Sequence, residues 1–175
     1  MTAGPHTVSV LLEEELVTFT RAVGVLRRRN FPIKSIAVGP SASPGLARLT
    51  IMMQTDPTTA NRAARQLEKV VGVHQAAAFP LREGVARELA LIKVRADQER
   101  YAELLDLALL YKATIVDESA DAAILEVSGS EAFIGSFLRA IESFKVVEVA
   151  RSGAVVLERA PVAVTPLTHT PEAVP

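Results

Sequence analysis

Few residues in this chain could carry chemistry, and their spacing argues against catalysis. The histidines are His6, His74 and His169. They fall at the amino end, in an expected strand and in the carboxyl-terminal tail, with no metal-ligand or triad spacing among them. Asp117, Glu118 and Asp121 bracket an expected turn. A carboxylate pair can do acid–base work, but a solvated hairpin is the commoner setting for such a cluster. Arg27, Arg28 and Arg29 could meet phosphate. With no interleaved aromatics, their place at the end of an expected helix reads better as complementing its dipole. The nine glycines are scattered and none forms a phosphate cradle. Cysteine is absent, which removes disulfides, thiolate metal sites and cysteine nucleophiles. One segment is left, Glu13–Thr20, where an expected strand runs into an expected helix. The N–H groups at a helix amino end attract carboxylates, and an amino-acid ligand carries one.

The elements around that junction follow from periodicity. Val8–Glu13 reads as a buried strand. Leu16–Arg29 has helical spacing, with Phe19, Ala22, Val23 and Leu26 on one face. Pro32–Gly39 is a strand, Pro40–Gly45 a turn, and Leu46–Gln54 an alternating strand. Thr58–Lys69 is a helix with Ala60, Ala63, Ala64 and Leu67 inward, and Val71–Phe79 a strand. After a short linker, Pro80–Gly84, the order recurs. Arg87–Arg95 is a strand and Glu99–Lys112 a helix that should bury Tyr101, Leu104, Leu105, Ala108 and Leu109. Ala113–Glu118 and Ala122–Ser128 are strands, Glu131–Phe144 is a helix capped by Ser130, and Val146–Arg151 is a strand. Ala154–Glu158 is a candidate extra edge strand.

The halves also repeat in register. Shifted by about 74 positions, Leu49–Ala76 falls on Ala123–Ala150 without a gap. Ile51 meets Leu125, Ala63 meets Phe137 and Leu67 meets Ile141. The fold class is therefore α+β: two tandem ferredoxin-like βαββαβ units, each an antiparallel sheet with two helices on one face. The expected division is 1–80, 81–159 and a proline-rich, disordered tail 160–175.

Composition fits this reading. The chain has 175 residues, long enough for two small cores, and hydrophobic residues make up 49% of it. Nineteen basic and 20 acidic residues leave a net charge of −1, which draws the chain to neither nucleic acid nor membrane. No apolar run reaches transmembrane length, and Met1–Thr7 lacks signal-peptide features, so a cytoplasmic protein is expected.

Several ordered segments resemble one family. SVLLE (9–13), RAVGVLRRRNFPIKSIAV (21–38), ARLTI (47–51), RELALIKV (87–94), IVD (115–117) and VVEVARSG (146–153) are similar to the small regulatory subunit of acetolactate synthase. The resemblance implies an ACT domain in the first half and an ACT-related ferredoxin-like domain in the second. It implies no active site and no cofactor on this chain. The partner would be a large catalytic subunit holding thiamine diphosphate, magnesium and FAD. It also implies homodimers or larger assemblies, with a branched-chain amino acid such as valine bound between paired ACT domains and reversing activation.

By family position the effector residues are Glu14, Val17, Thr18, Phe19, Pro32 and Ile33. They depart from the family pattern. An Asn-x-x-Gly motif is replaced by Glu14 and Val17, so a branched side chain stands where glycine would admit the ligand carboxylate. Pro32 replaces an asparagine before Ile33 and brings neither an amide side chain nor a backbone N–H. Glu13, Glu14 and Glu15 place three carboxylates at the helix amino end. The expectation is an activator with weakened or altered valine sensing. Two rivals remain: a free-standing ACT-type sensor for another small molecule, and a ferredoxin-like catalyst using Asp117 or Glu118.

Overall fold

The computed structural model describes residues 3–95, 98–119 and 121–159. The expected tail, 160–175, lies outside the described residues. The first half is β1 (Gly4–Glu13), α1 (Leu16–Arg28), β2 (Ile33–Pro40), β3 (Leu46–Thr55), α2 (Pro57–Leu67) and β4 (Val73–Pro80). A 3-10 turn, Leu81–Glu83, leads into β5 (Gly84–Arg95). The second half continues with a 3-10 turn, Gln98–Arg100, then α3 (Tyr101–Leu110), β6 (Thr114–Glu118), β7 (Ala122–Gly129), α4 (Glu131–Ala140), β8 (Lys145–Arg151) and β9 (Val155–Glu158).

Both sheets are antiparallel, in the orders β2-β3-β1-β4 and β6-β7-β5-β8. The strands alternate as period-two packing requires. Val8, Val10 and Leu12 of β1 and Leu49, Ile51 and Met53 of β3 turn toward the helices and are buried with Ala22, Leu26, Ala63 and Leu67. The second core repeats this arrangement with Ala90, Ile92, Val94, Ala123, Leu125, Val127, Ile134, Phe137 and Ile141. Asp56 caps α2 by accepting from the Thr59 amide at 3.0 Å, and Ser130 caps α4 by accepting from the Phe133 amide at 3.2 Å.

Two expectations need correction. First, α3 buries Leu104 and Ala108 but exposes Leu105, Leu109 and Leu110. Helical spacing puts Leu105 and Leu109 one residue round from the buried Leu104–Ala108 line, and among the described residues no element covers that flank. Second, Pro80–Gly84 is more than a linker. Strand β5 starts at Gly84, and its first four residues pair with β9, Gly84 opposite Glu158 and Arg87 opposite Val155. This two-stranded arm lies on the open face of the first sheet, where Val156 packs with Met52 and Phe79, flanked by Leu81, Ala86 and Ala154. Gly153 lies close to β2, where a Cβ built on it would stand 3.6 Å from the Ile36 carbonyl oxygen, and Lys34 pairs with Glu131 across the two halves at 2.6 Å. The first sheet is thus covered by helices on one face and by the second half on the other.

Candidate functional site

The β1–α1 junction is held by backbone hydrogen bonds. The Glu13 amide donates to the Gly72 carbonyl at 2.8 Å, and the Glu14 amide to the Gly45 carbonyl at 2.9 Å. The loop is therefore tied to both the α2–β4 turn and the β2–β3 turn. Glu15 takes the N-cap position of α1 with extended backbone but makes no side-chain cap. The buried Thr18 hydroxyl donates to Glu13 Oε2 at 3.5 Å. That places the Glu13 carboxylate at the amino end of the helix, where positive potential favours it.

A cavity of about 470 Å³ opens at this end of the sheet. Glu13, Glu14, Glu15, Leu16 and Phe19 form one side, and Val38, Gly39 and Pro40 of β2 form the other. Its size suits a small organic ligand, and its walls mix apolar and acidic groups. Beside it, β2 is an edge strand of the first sheet, with Val38 exposed.

The structure divides the six positions named from sequence. Glu14 and Phe19 line the cavity. Val17 is 44% exposed on the outer side of α1, and Thr18 is buried beneath the helix. Pro32 and Ile33 sit at the far end of the sheet. Ile33 is paired with Met53 and Pro40 with Ala47, so the two ends of β2 lie ~20 Å apart at 3.3 Å per residue. Within one chain, Pro32 and Ile33 do not join Glu14 and Phe19. Sequence reasoning did not single out the β2 wall, Val38–Pro40. The available signal was hairpin geometry: the turn after Pro40 returns β3 beside the end of β1.

The remaining candidates gather no chemistry. His6 is buried, with Nδ1 3.0 Å from the Gly4 carbonyl oxygen, and His74 is exposed. Glu118 accepts from the Tyr101 hydroxyl. That hydrogen bond holds the phenol's pKa above its ordinary value, with desolvation and the carboxylate charge adding to it. Asp121 accepts from the Ser119 hydroxyl within the β6–β7 turn, and Asp117 is exposed. Among the described residues no three histidine or acidic side chains gather as metal ligands, and no helix is long and apolar enough to cross a membrane.

Comparison with known proteins gives the same picture for both halves. Residues 10–75 match the family model for an AHAS small subunit-like ACT domain. Residues 87–160 match the model for the small subunit of acetolactate synthase. The chain is similar to the acetolactate synthase small subunit of Mycobacterium bovis, 33% identical over 161 residues, covering 92% of this chain and 96% of the relative. A probable acetolactate synthase small subunit of Archaeoglobus fulgidus is 34% identical over 154 residues, 88% of this chain and 96% of the relative. The crystal structure of the acetolactate synthase small subunit from Thermotoga maritima superposes with a TM-score of 0.85 at 36% identity, covering 90% of this chain and 99% of that one.

Proposed function

The chain belongs to the family of acetolactate synthase small subunits, and on that premise we propose that it binds the large catalytic subunit and raises its activity. The chemistry then belongs to the partner, which carries thiamine diphosphate, magnesium and FAD. This chain contributes binding surface and regulation. The observation that carries the reading is end-to-end similarity: both halves match, and the likeness spans nearly the whole length of the relatives.

The effector site is completed by a second copy of the chain. Among the described residues one edge of β2 is unpaired, and such an edge invites strand addition. An antiparallel two-fold pairing of two β2 strands, centred between Ile36 and Ala37, would set residue 33 of one copy opposite residue 40 of the other. Pro32 and Ile33 of one protomer would then approach the cavity of its partner. The site so formed is poor for valine. Glu14 and Glu15 face a ligand carboxylate with negative charge, the Glu13 carboxylate already occupies the helix amino end beside Thr18, and Pro32 offers no amide.

The test is reconstitution. Adding this chain to the matching catalytic subunit should raise acetolactate formation from pyruvate several-fold, while the chain alone forms none. An unchanged rate at low and moderate salt would remove this reading and favour a free-standing ACT-type sensor.

A further inference from the structure

A second cavity, of about 450 Å³, lies between the two halves and is separate from the β1–α1 site. Its floor is apolar, formed by Met52, Leu81 and Ala86, which belong to the cluster joining the halves. Its rim is charged, and the charges are unequal: Lys34, Arg87 and Arg151 against Glu88 and Glu131.

Hydrogen bonds within the cavity already spend part of this charge. Glu88, with a side chain only 9% exposed, accepts from Arg151 Nε and Nη2, both at 2.7 Å. This fork neutralises the Glu88 charge, one hydrogen bond to each oxygen, and among the described residues leaves the Nη1 donors of Arg151 over. Lys34 and Glu131 satisfy each other at the rim. Arg87 donates from Nη1 to the Ala86 carbonyl at 2.7 Å and, among the described residues, has no carboxylate partner. The first turn of α4, at Glu131 and Ala132, forms a further wall and adds positive potential. The site thus offers donors and positive charge in excess above an apolar floor, in a cavity of ordinary ligand-site size at a domain interface.

We propose that this interdomain cavity binds a small organic monoanion, with a carboxylate held by Arg87 and Arg151 and a short aliphatic body against Met52, Leu81 and Ala86. A cation would meet the unpaired positive charge of Arg87. A polyanion would exceed the single positive charge in surplus. A ligand seated here touches both halves, so its occupancy would tighten their relative placement.

The experiment is calorimetry on the full chain with 3-methylbutanoate as probe, 3-methylbutylamine as the matched cation, and inorganic phosphate as a head group without a body. Saturable binding of 3-methylbutanoate is expected, at least tenfold tighter than either control. Arg87→Met should weaken it at least tenfold by removing the free guanidinium. Ala132→Tyr, placed on the exposed first turn of α4, should abolish it by filling the mouth. Both positions are solvent-facing, and unchanged melting curves would show that the variants fold. No binding at about 20 mM probe, equal binding of the amine or of phosphate, or parental affinity in both cavity variants would each overturn the proposal. Stimulation of the catalytic subunit is measured separately, so failure here leaves the reconstitution result untouched.

Discussion

The Glu13 carboxylate lies where a side chain on residue 72 would have to go. Gly72 has φ of +88°, and a Cβ built on it would stand 2.5 Å from Glu13 Oε2 and 2.6 Å from Thr18 Oγ1. Glycine is needed there twice over, for its backbone and for its missing side chain. Gly45 separates the two effects, because it has φ of +75° with nothing within 4 Å of the same position. Gly45→Ala should therefore cost only the backbone penalty, about 1 kcal/mol, or 2–4 °C in a chain of this size. Gly72→Ala should lower the melting temperature at least twice as far, because Glu13 and Thr18 must also move. Equal shifts in thermal denaturation would mean that the Glu13–Thr18 contact is dispensable.

The arm formed by β9 should be worth more than its four residues suggest. Val156 is 2% exposed and closes over Met52 and Phe79 of the first half. A chain ending at Gly153 would lose the pairing with Gly84–Arg87 and expose those apolar side chains. The expected loss is at least about 3 kcal/mol, since burying each such side chain contributes about 1.5–3 kcal/mol. A chain ending at Arg159 keeps these contacts, including the Arg159 amide bond to the Glu83 carbonyl at 2.7 Å. It should melt within about two degrees of the full chain. Denaturation of the two truncations side by side decides the point; similar curves would show that the arm adds little.

The Tyr101–Glu118 hydrogen bond predicts an alkaline effect of definite sign. The phenol's pKa is raised in the folded chain, first by this bond. The folded state therefore holds that proton more tightly than the unfolded one. Its contribution is complete below the ordinary tyrosine pKa of about 10 and is lost as pH rises through the raised value. Ultraviolet titration of Tyr111→Phe isolates Tyr101. Its midpoint should fall toward the ordinary value when Glu118→Ala is added, and a midpoint that stays in place would show that Glu118 is not the cause.

The internal repeat explains why the fold was legible. Under the 74-residue shift Leu49, Ile51 and Met53 map onto Ala123, Leu125 and Val127, and Ala63 and Leu67 onto Phe137 and Ile141, and all ten are buried. Alternation and helical spacing need only local sequence, so both cores could be read from them. The exposed flank of α3 could not. Leu105 and Leu109 follow helical periodicity as well as Leu104 does, and only tertiary packing decides which line is covered. The β5–β9 arm was half legible: the strand was expected, but its seat on Met52 and Phe79 is a long-range contact with no periodic signal. At the β1–α1 site, Glu14 and Phe19 could be found because they adjoin the helix start. Val38–Pro40 is brought there by sheet register, and Pro32 is carried to the far end by the same strand.

That geometry sets the order of effects expected for valine. Glu14 lines the cavity and Val17 does not, so charge should matter more than the volume of residue 17. The parent chain should bind valine no better than millimolar. Losing one hydrogen bond to a charged group costs about 1.5–3 kcal/mol, and a micromolar site that loses two such contacts falls to that range. Glu14→Asn should recover more affinity than Val17→Gly, which acts only by freeing the backbone of the first helical turn. Pro32→Asn should add to Glu14→Asn only when the chain is dimeric, since the two positions lie at opposite ends of one protomer's β2. Calorimetry with valine above and below the dimer dissociation concentration, run on the single and double variants, tests all three statements. Micromolar valine binding by the unmodified chain would show that Glu14 and Glu15 turn away from the ligand. A Pro32→Asn gain that persists in the monomer would place residue 32 in its own protomer's site and rule out completion by a second copy.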